Sequence, residues 1–583
     1  MNITDFFKKN RKKLIAAAII AAVIAVAFVG FKILVRVGNP KYFYNYMHNT
    51  AGSLEVESYP QAAEGADAEY VTCTQTTDPA AHGIVEKLEV DGQLCDSYTR
   101  SPAICFDDDF IDRLSGLNGL LTFRGNYMRS MTSVGEAVIN AERFSSDYWT
   151  YSTGKVLKSN GVDYWSGNGW TGQPLCICWD ADTRQLMNMY DWARAKDGLV
   201  EVIYPGMDGC IHFLDIETGE ETRPTIYVGM TFKGTASLYP DGTPLLFCGS
   251  GDAQTGQFGE NVSQRFYIYS LIDGTLLYEG GYNDDFAPRI WHAYDSSPVI
   301  DPVTDTLIQP GENGVIYTIH LNTAYDAQTG ALSVSPDEPV RYTFTIEDKY
   351  AEGGYLWGSE CSAAVWNSYL YIGDNAGTFY CLDLNTMRMV WVQELNEDIN
   401  SSPVFEIDGA NHFVYVATTL KYNYDSHSMG EAAIYKLNAM NGEIIWKKPY
   451  EVHTVKGYAG GVLSTGALGS GSISDYIIYS VSKLPDIEGG YIVALDKYTG
   501  EEAWRIELDM YSWSSSVLTY STEGRAYLIQ GCQDGSLLLI DAAGGRILDT
   551  KNFGSGIEAT PIVYGNRIVL ATRSEKILGL SLE

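Results

Sequence analysis

Five aromatic residues, Trp170, Trp291, Trp357, Tyr458 and Trp513, each stand a few residues ahead of a Ser-, Gly- or Pro-rich strand start. Those starts are Gln173-Pro174, Ser296-Ser297-Pro298, Ser359-Glu360, Gly460-Gly461 and Ser514-Ser515. Asp295, Glu360, Asp398, Asn400 and Glu558 accompany the rings, with Arg289 and His292 as positive counterparts. Rings beside carboxylates and hydroxyls can stack on sugars, hold a peptide or bind a cation; they can equally serve as packing. No two of the carboxylates have a spacing that identifies a general acid and base, so no catalytic residue is assigned. The chain also lacks a phosphate-binding Gly loop, a G-x-S-x-G elbow and an H-E-x-x-H motif. Its ten Cys and eight His show no C-x-x-C pair and no zinc-finger spacing, so no metal site is expected.

What brings these loops together is a repeat. Between Asp215 and Asp541 the chain recurs with a period of about 54 residues, the length of a propeller or solenoid unit. Each unit has a short strand opened by Ser, Gly or Pro and a second apolar strand ending in Leu-Asp or a variant, as in Gly377–Asp383 and Gly490–Asp496. A tight turn follows, as in Asp496-Lys-Tyr-Thr-Gly500: Asp bonds its own backbone two residues on and Gly takes a positive φ. Trp391, Trp446 and Trp504 occupy one fixed offset after the turn, and a bulky ring at one position per repeat reads as packing between neighbouring sheets.

The final unit stops at Leu582-Glu583, before its turn and Trp strand, whereas Ser146–Gly154 holds an orphan Trp strand around Trp149. The fragments complement each other, so residues 147–153 are expected to close the ring as the outer strand of the last blade. Seven full units plus this composite predict an all-β, eight-bladed propeller with four-stranded blades; seven blades is the alternative.

The pattern Leu-Asp-x-x-Thr-Gly-x-x-x-Trp, best preserved in Leu495–Trp504, resembles the PQQ-like (quinoprotein) β-propeller repeat. The resemblance spans about residues 172–583 and is nearest to membrane-anchored, non-enzymatic members similar to the outer-membrane assembly lipoprotein. For the enzymatic branch it implies an adjacent Cys pair against the quinone and a calcium site beside a catalytic Asp. This chain has Cys176-Ile-Cys178 and no adjacent pair, and no C-x-x-C-H haem attachment. No cofactor is therefore expected; PQQ and calcium belong to the alternative, a quinone-dependent dehydrogenase.

The formal charge is −33, unevenly placed: residues 1–41 carry eight of the 40 Lys/Arg and one of the 73 Asp/Glu. The acidic remainder argues against nucleic acid and suits cations or basic polypeptide segments. Leu14–Phe31 is an uncharged apolar run preceded by Lys8, Lys9, Arg11, Lys12 and Lys13. It reads as a single transmembrane helix over 14–35 with residues 1–13 cytoplasmic and the rest extracytoplasmic; a cleaved signal peptide is the other reading. Residues 36–105 read as a stalk or linker. Cys73, Cys95 and Cys105 can supply one bridge there, while the other Cys fit strand cores. Residues 106–145 form a pre-propeller segment, with an acidic helix start at Phe106-Asp-Asp-Asp and then Leu121–Asn126, where Arg124 is expected to fix the segment to the ring. The propeller occupies 146–583. Together these features predict a binding or assembly platform for an envelope protein, peptide or cell-wall glycan, with a solute sensor as a third reading.

Overall fold

The computed structural model describes residues 53–59, 70–158, 160–168, 172–252, 254–255, 261–346, 358–395, 397–420, 428–455 and 458–583. The apolar run 14–31 lies outside them, as do Trp170 and Trp357; among the described residues no helix is long and apolar enough to cross a membrane.

Eight antiparallel sheets follow one another along the chain, at 175–227, 237–280, 299–346, 364–394, 404–454, 467–508, 517–552 and 562–581, numbered here as blades 1 to 8. Blade 8 takes its fourth strand from the distant segment Trp149–Ser152, which pairs with Lys576–Ser581 in the register Gly579↔Trp149 and Ile577↔Tyr151. The truncated last repeat and the orphan Trp strand are thus two parts of one sheet.

The repeat motif explains how blades lock. Trp391 of blade 4 donates its indole N–H to Ala439 O, Trp446 of blade 5 to Lys497 O and Trp504 of blade 6 to Ala542 O, all at 3.0–3.1 Å. Trp149, closing blade 8, makes the same bond to Ile216 O of blade 1 at 3.0 Å. Each acceptor sits in the Asp/Asn-x-x-x-Gly turn of the next blade, and the turn glycine lies under the ring: a Cβ on Gly219, Gly442, Gly500 or Gly545 would come within 3 Å of the indole. The turn itself is tied by its first residue. Asp496 Oδ1 accepts from Thr499 N at 2.8 Å, and Asp383 Oδ2 accepts from Thr386 Oγ1 at 2.8 Å.

The Ser-rich strand starts form a second belt. Ser297 N donates to Ser362 Oγ, Ser362 N to Ser402 Oγ, Ser402 N to Thr465 Oγ1 and Thr465 N to Ser515 Oγ, at 2.9–3.2 Å, stepping from blade 3 to blade 7. Gln173 N donates to Thr235 Oγ1 at 2.7 Å between blades 1 and 2. Short hydroxyls there pair the backbone N–H groups of innermost strands that have no strand on their inner side.

Residues 119–134 reach all eight blades. Gly119–Leu120 pairs with Leu175–Ile177 of blade 1. Leu121 O accepts from Leu238 N, Tyr127 O from Val365 N, Met128 O from Phe405 N and Val563 O from Val134 N, all at 2.8–2.9 Å. The Tyr127 hydroxyl exchanges bonds with Ile300 N and O at 3.0 Å. Arg124, fully buried, donates to Gly466 O of blade 6 and Ser516 O of blade 7 at 2.6 Å each. The expected anchoring role of Arg124 is therefore met by carbonyls, and its segment is a hub rather than a lead-in.

The stalk reading differs from the structure in part. Ile84–Val90 adds a fifth strand to blade 3 beside Val340–Ile346, and Glu57–Ser58 adds one to blade 5 beside Ile444–Thr454. Outer strands offer unpaired N–H and C=O groups, which this segment covers. The acidic helix start holds: Asp107 caps Asp108–Ser115 by accepting from Phe110 N, and Phe110, Ile111 and Leu114 are buried. All ten Cys are free thiols; Cys73 and Cys95 pack against the core and Cys105 is exposed, without the bridge considered for them.

Candidate functional site

Because strands alternate direction, the loop entering each innermost strand and the hairpin between the second and third strands lie at the same end of a blade. The aromatic loops and the hairpin tips therefore share one face, the mouth of the ring. On the opposite face a cavity of about 400 Å³ is lined by Ile111, Met128, Phe405, Glu406 and Lys497, but its Glu406 and Lys497 already form an ion pair.

Blades 2 to 5 contribute an acidic arc to the mouth. Trp291 donates its indole N–H to Glu312 Oε2 at 2.9 Å. Arg289 donates to Glu312 O and to Asn375 Oδ1 at 3.1 Å each, and Asn375 Nδ2 donates to Asp398 Oδ1 at 3.1 Å. Asn400 Nδ2 completes the chain at 3.0 Å from Asp398 Oδ2. Lys233 Nζ lies 3.0 Å from Asp252 Oδ1 and 4.0 Å from Asp295 Oδ2. His292 turns away, its Nδ1 at 3.2 Å from Gly281 O.

Asp295 is 7 % exposed, and neither of its oxygens has a hydrogen-bond donor among the described residues; Glu312 Oε1 also lacks one. Two ionised carboxylates cannot donate to each other, so retaining a proton is the way this pair relaxes. Burial, opposed by Lys233 and reinforced by Glu360, pushes the Asp295 carboxyl up to about 6. Burial and then the charges of Glu360 and Asp295 raise Glu312 well above the usual carboxylate range. Burial and Glu360 raise Asp398 to about 8. Glu360, half-buried, thus acts electrically on all three. Raised in this way, these carboxyls are groups whose ionised forms a nearby cation would stabilise.

Blades 6 to 8 supply a different arc. Tyr458, 52 % exposed, stacks on buried Trp513 with centroids 6.0 Å apart and planes 20° apart, and Tyr511 lies 5.3 Å from Trp513. Lys483 Nζ sits 3.8 Å over the Tyr511 ring, and burial pushes its ammonium down to about 8. Glu558, buried, accepts from Gln533 Nε2 at 2.8 Å and stands 3.7 Å from Arg573. Tyr458 and Trp513 are thereby joined, and Trp291, Asp295, Glu360 and Asp398 are joined, while Glu558 is already neutralised. Lys233, Asp252, Glu312 and Asn375 were absent from the sequence reading. All but Lys233 lie in connections between second and third strands, and Glu312 and Asn375 lie in the Gly/Asn-rich turns Gly311-Glu312-Asn313-Gly314 and Asp374-Asn375-Ala376-Gly377.

Comparison with known proteins bears on this geometry. A family profile described as outer membrane protein assembly factor BamB matches residues 320–454 and 488–583. The match supports a PQQ-like propeller repeat over those residues. It is 25 % identical over 215 residues to the outer membrane protein assembly factor BamB of Kangiella koreensis, covering 36 % of this chain and 48 % of that protein. It is 23 % identical over 294 residues to the dehydrogenase subunit of a quinone alcohol dehydrogenase of Gluconacetobacter polyoxogenes, covering 41 % and 39 %. The chain thus spans less than half the length of either curated relative. Among solved structures, the quinohemoprotein alcohol dehydrogenase ADHIIG of Pseudomonas putida HK5 aligns with a TM-score of 0.53 at 12 % identity over 82 % of both chains, a likeness of fold. PQQ-like propellers therefore include both kinds of relative, and the thiols bear on which kind this one resembles. Cys176 is buried between blades 8 and 1, and Cys178 follows it beyond Ile177 at the edge of the same core, away from the mouth. This placement does not fit the adjacent-Cys support for a quinone.

Proposed function

We propose that the chain is an envelope binding and assembly platform, held to the membrane by its 14–35 helix with the ring outside, and that its mouth captures a basic segment of a partner polypeptide. The observation that carries this reading is Asp295: a buried carboxylate with no hydrogen-bond donor among the described residues, set beside Glu312 and Glu360, whose nearby cation, Lys233 at 4.0 Å, also pairs with Asp252 at 3.0 Å; a Lys or Arg side chain would supply further positive charge and the N–H groups. Tyr458, stacked on Trp513, offers an exposed ring face for cation–π contact along the same segment. The assembly-factor relative supports the platform; the acidic arc supports the sign of its partner.

A decalysine peptide and a decaglutamate peptide titrated into the full-length protein in detergent test it. Saturable binding of decalysine alone, weakened at least tenfold by an Asp295→Asn/Glu360→Gln double substitution, is expected. The second reading, quinone-dependent alcohol oxidation, draws on the similarity to the alcohol dehydrogenase subunit. Saturable uptake of PQQ with calcium and dye-linked alcohol oxidation would favour it over the platform.

A further inference from the structure

The hairpin joining the second and third strands of blade 1 carries three donors of different chemistry on alternate residues: Asp208, Cys210 and His212. Cys210 and His212, alternate residues of the strand Cys210–Asp215, share a face, Asp208 precedes them in the turn, and a carboxylate oxygen, the thiol sulfur and an imidazole nitrogen all lie within 4.8 Å of one another. From this convergence we infer a binding site for a zinc-class divalent metal ion at the seam between blades 8 and 1.

The geometry is close to that of a coordinated ion. His212 Nε2 stands 3.0 and 3.2 Å from the two Asp208 oxygens. A tetrahedral zinc with N and O ligands at about 2.0–2.1 Å separates such donors by about 3.3 Å, so a few tenths of an ångström of opening admits it. In the metal-free arrangement the proton on Nε2 occupies the position the metal would take. The carboxylate is already oriented by backbone N–H groups: Gly154 N donates to Asp208 Oδ2 at 2.8 Å and Cys210 N to Oδ1 at 3.2 Å. Tyr151 packs edge-on against the His212 ring, with centroids 5.3 Å apart, and its hydroxyl is held by Glu221 Oε1 at 2.7 Å. Asp208 and His212 are buried while Cys210 is half-buried, so an ion enters past the sulfur.

The donor set selects the metal. Thiolate and imidazole favour zinc, cobalt or copper over calcium and magnesium, which take oxygen ligands. Coordination deprotonates the thiol and shifts the ring proton from Nε2 to Nδ1 by exchange through solvent, leaving a neutral imidazole, with no redox change. Three protein donors leave a fourth position for water. His212 Nδ1 has no acceptor among the described residues to orient the ring, which lowers affinity by about 10–100-fold relative to a ring held by such a partner. Tyr151 and Gly154 belong to the segment that completes blade 8, whereas all three donors belong to blade 1. A bound ion therefore stiffens the seam at which the ring is closed.

Cobalt and zinc added to the full-length protein in reducing buffer test the site. One equivalent of Co²⁺ is expected to bind with a thiolate-to-cobalt charge-transfer band, displaced by Zn²⁺ and not by Ca²⁺. Cys210→Ser should abolish the band and weaken Zn²⁺ binding at least tenfold, while Cys105→Ser, at an exposed thiol elsewhere, should leave both unchanged. In the unaltered protein Zn²⁺ should slow alkylation of Cys210 as read by peptide mass spectrometry, a measurement independent of any variant's folding. A band that survives Cys210→Ser, or Cys210 alkylation at the same rate with and without Zn²⁺, would overturn the inference.

Discussion

Asp398 shows how a single buried side chain couples the mouth to pH. Folded, it keeps its proton to about pH 8, chiefly through burial; unfolded, it releases it near pH 4. Between these values the folded state binds the extra proton, so stability is fully present below about pH 4 and declines as pH rises toward 8. Asp295 and Glu312 act in the same direction. Asp398→Asn keeps the side chain's size, removes the titrating group with the loss of one of the two bonds accepted from Asn375 and Asn400, and should flatten the loss of stability between pH 5 and 8, measured by urea midpoints at several pH values. Arg124 makes a second case. Its guanidinium is fully buried, its pKa pushed down to about 9, and it meets carbonyls of two blades. Arg124→Met removes two charge-assisted hydrogen bonds and should cost about 3–6 kcal/mol of unfolding free energy, given about 1.5–3 kcal/mol for each such bond. The sequence marked Arg124 as an anchor, but its carbonyl partners lie more than 340 residues away and leave no local signature.

At the scale of the element, the unit of cohesion is the indole seated on the next blade's turn. Trp446→Ala should destabilise by about 3–5 kcal/mol, the usual cost of truncating a buried Trp. Gly500→Ala, strained at φ +74° and pressed against Trp446, should cost about 1–3 kcal/mol despite adding a single methyl group. Thermal or urea unfolding of the two variants and their combination should show less than additive loss, because both remove one contact. These elements were legible because the same Asp, Gly and Trp recur at fixed offsets, and the closing strand was legible because Trp149 carried that mark without a repeat before it. Ile84–Val90 was not, although its residues are strand formers, since nothing local says which blade edge is open to receive it. The hub 119–134 escaped for a related reason: most of its bonds run through backbone, which any sequence can supply. The cluster Asp208-x-Cys210-x-His212 on which the metal proposal rests is readable in the sequence as donors two residues apart, a spacing that zinc-finger patterns do not cover.

Across the whole molecule, the ring separates two kinds of work. Indoles, hydroxyl belt and hub hold eight sheets together, and the mouth is left with more carboxylates in blades 2 to 5 than Lys233 and Arg289 offset. The aromatic loops indicated where the mouth would be, while the pairing of Asp295 with Glu312 required hairpin tips and entry loops to be placed on one face. The central claim is that this mouth takes up a basic polypeptide segment, and calorimetric titration of decalysine into the full-length protein at pH 6, 7, 8 and 9 tests it most directly. Because the cation favours the ionised carboxylates, affinity should rise from pH 6 to 9 after correction for ionic strength, with proton release on binding, and the Asp295→Asn/Glu360→Gln protein should lose most of both effects. Binding that is absent, that is independent of pH, or that persists unchanged in the double variant would contradict the account.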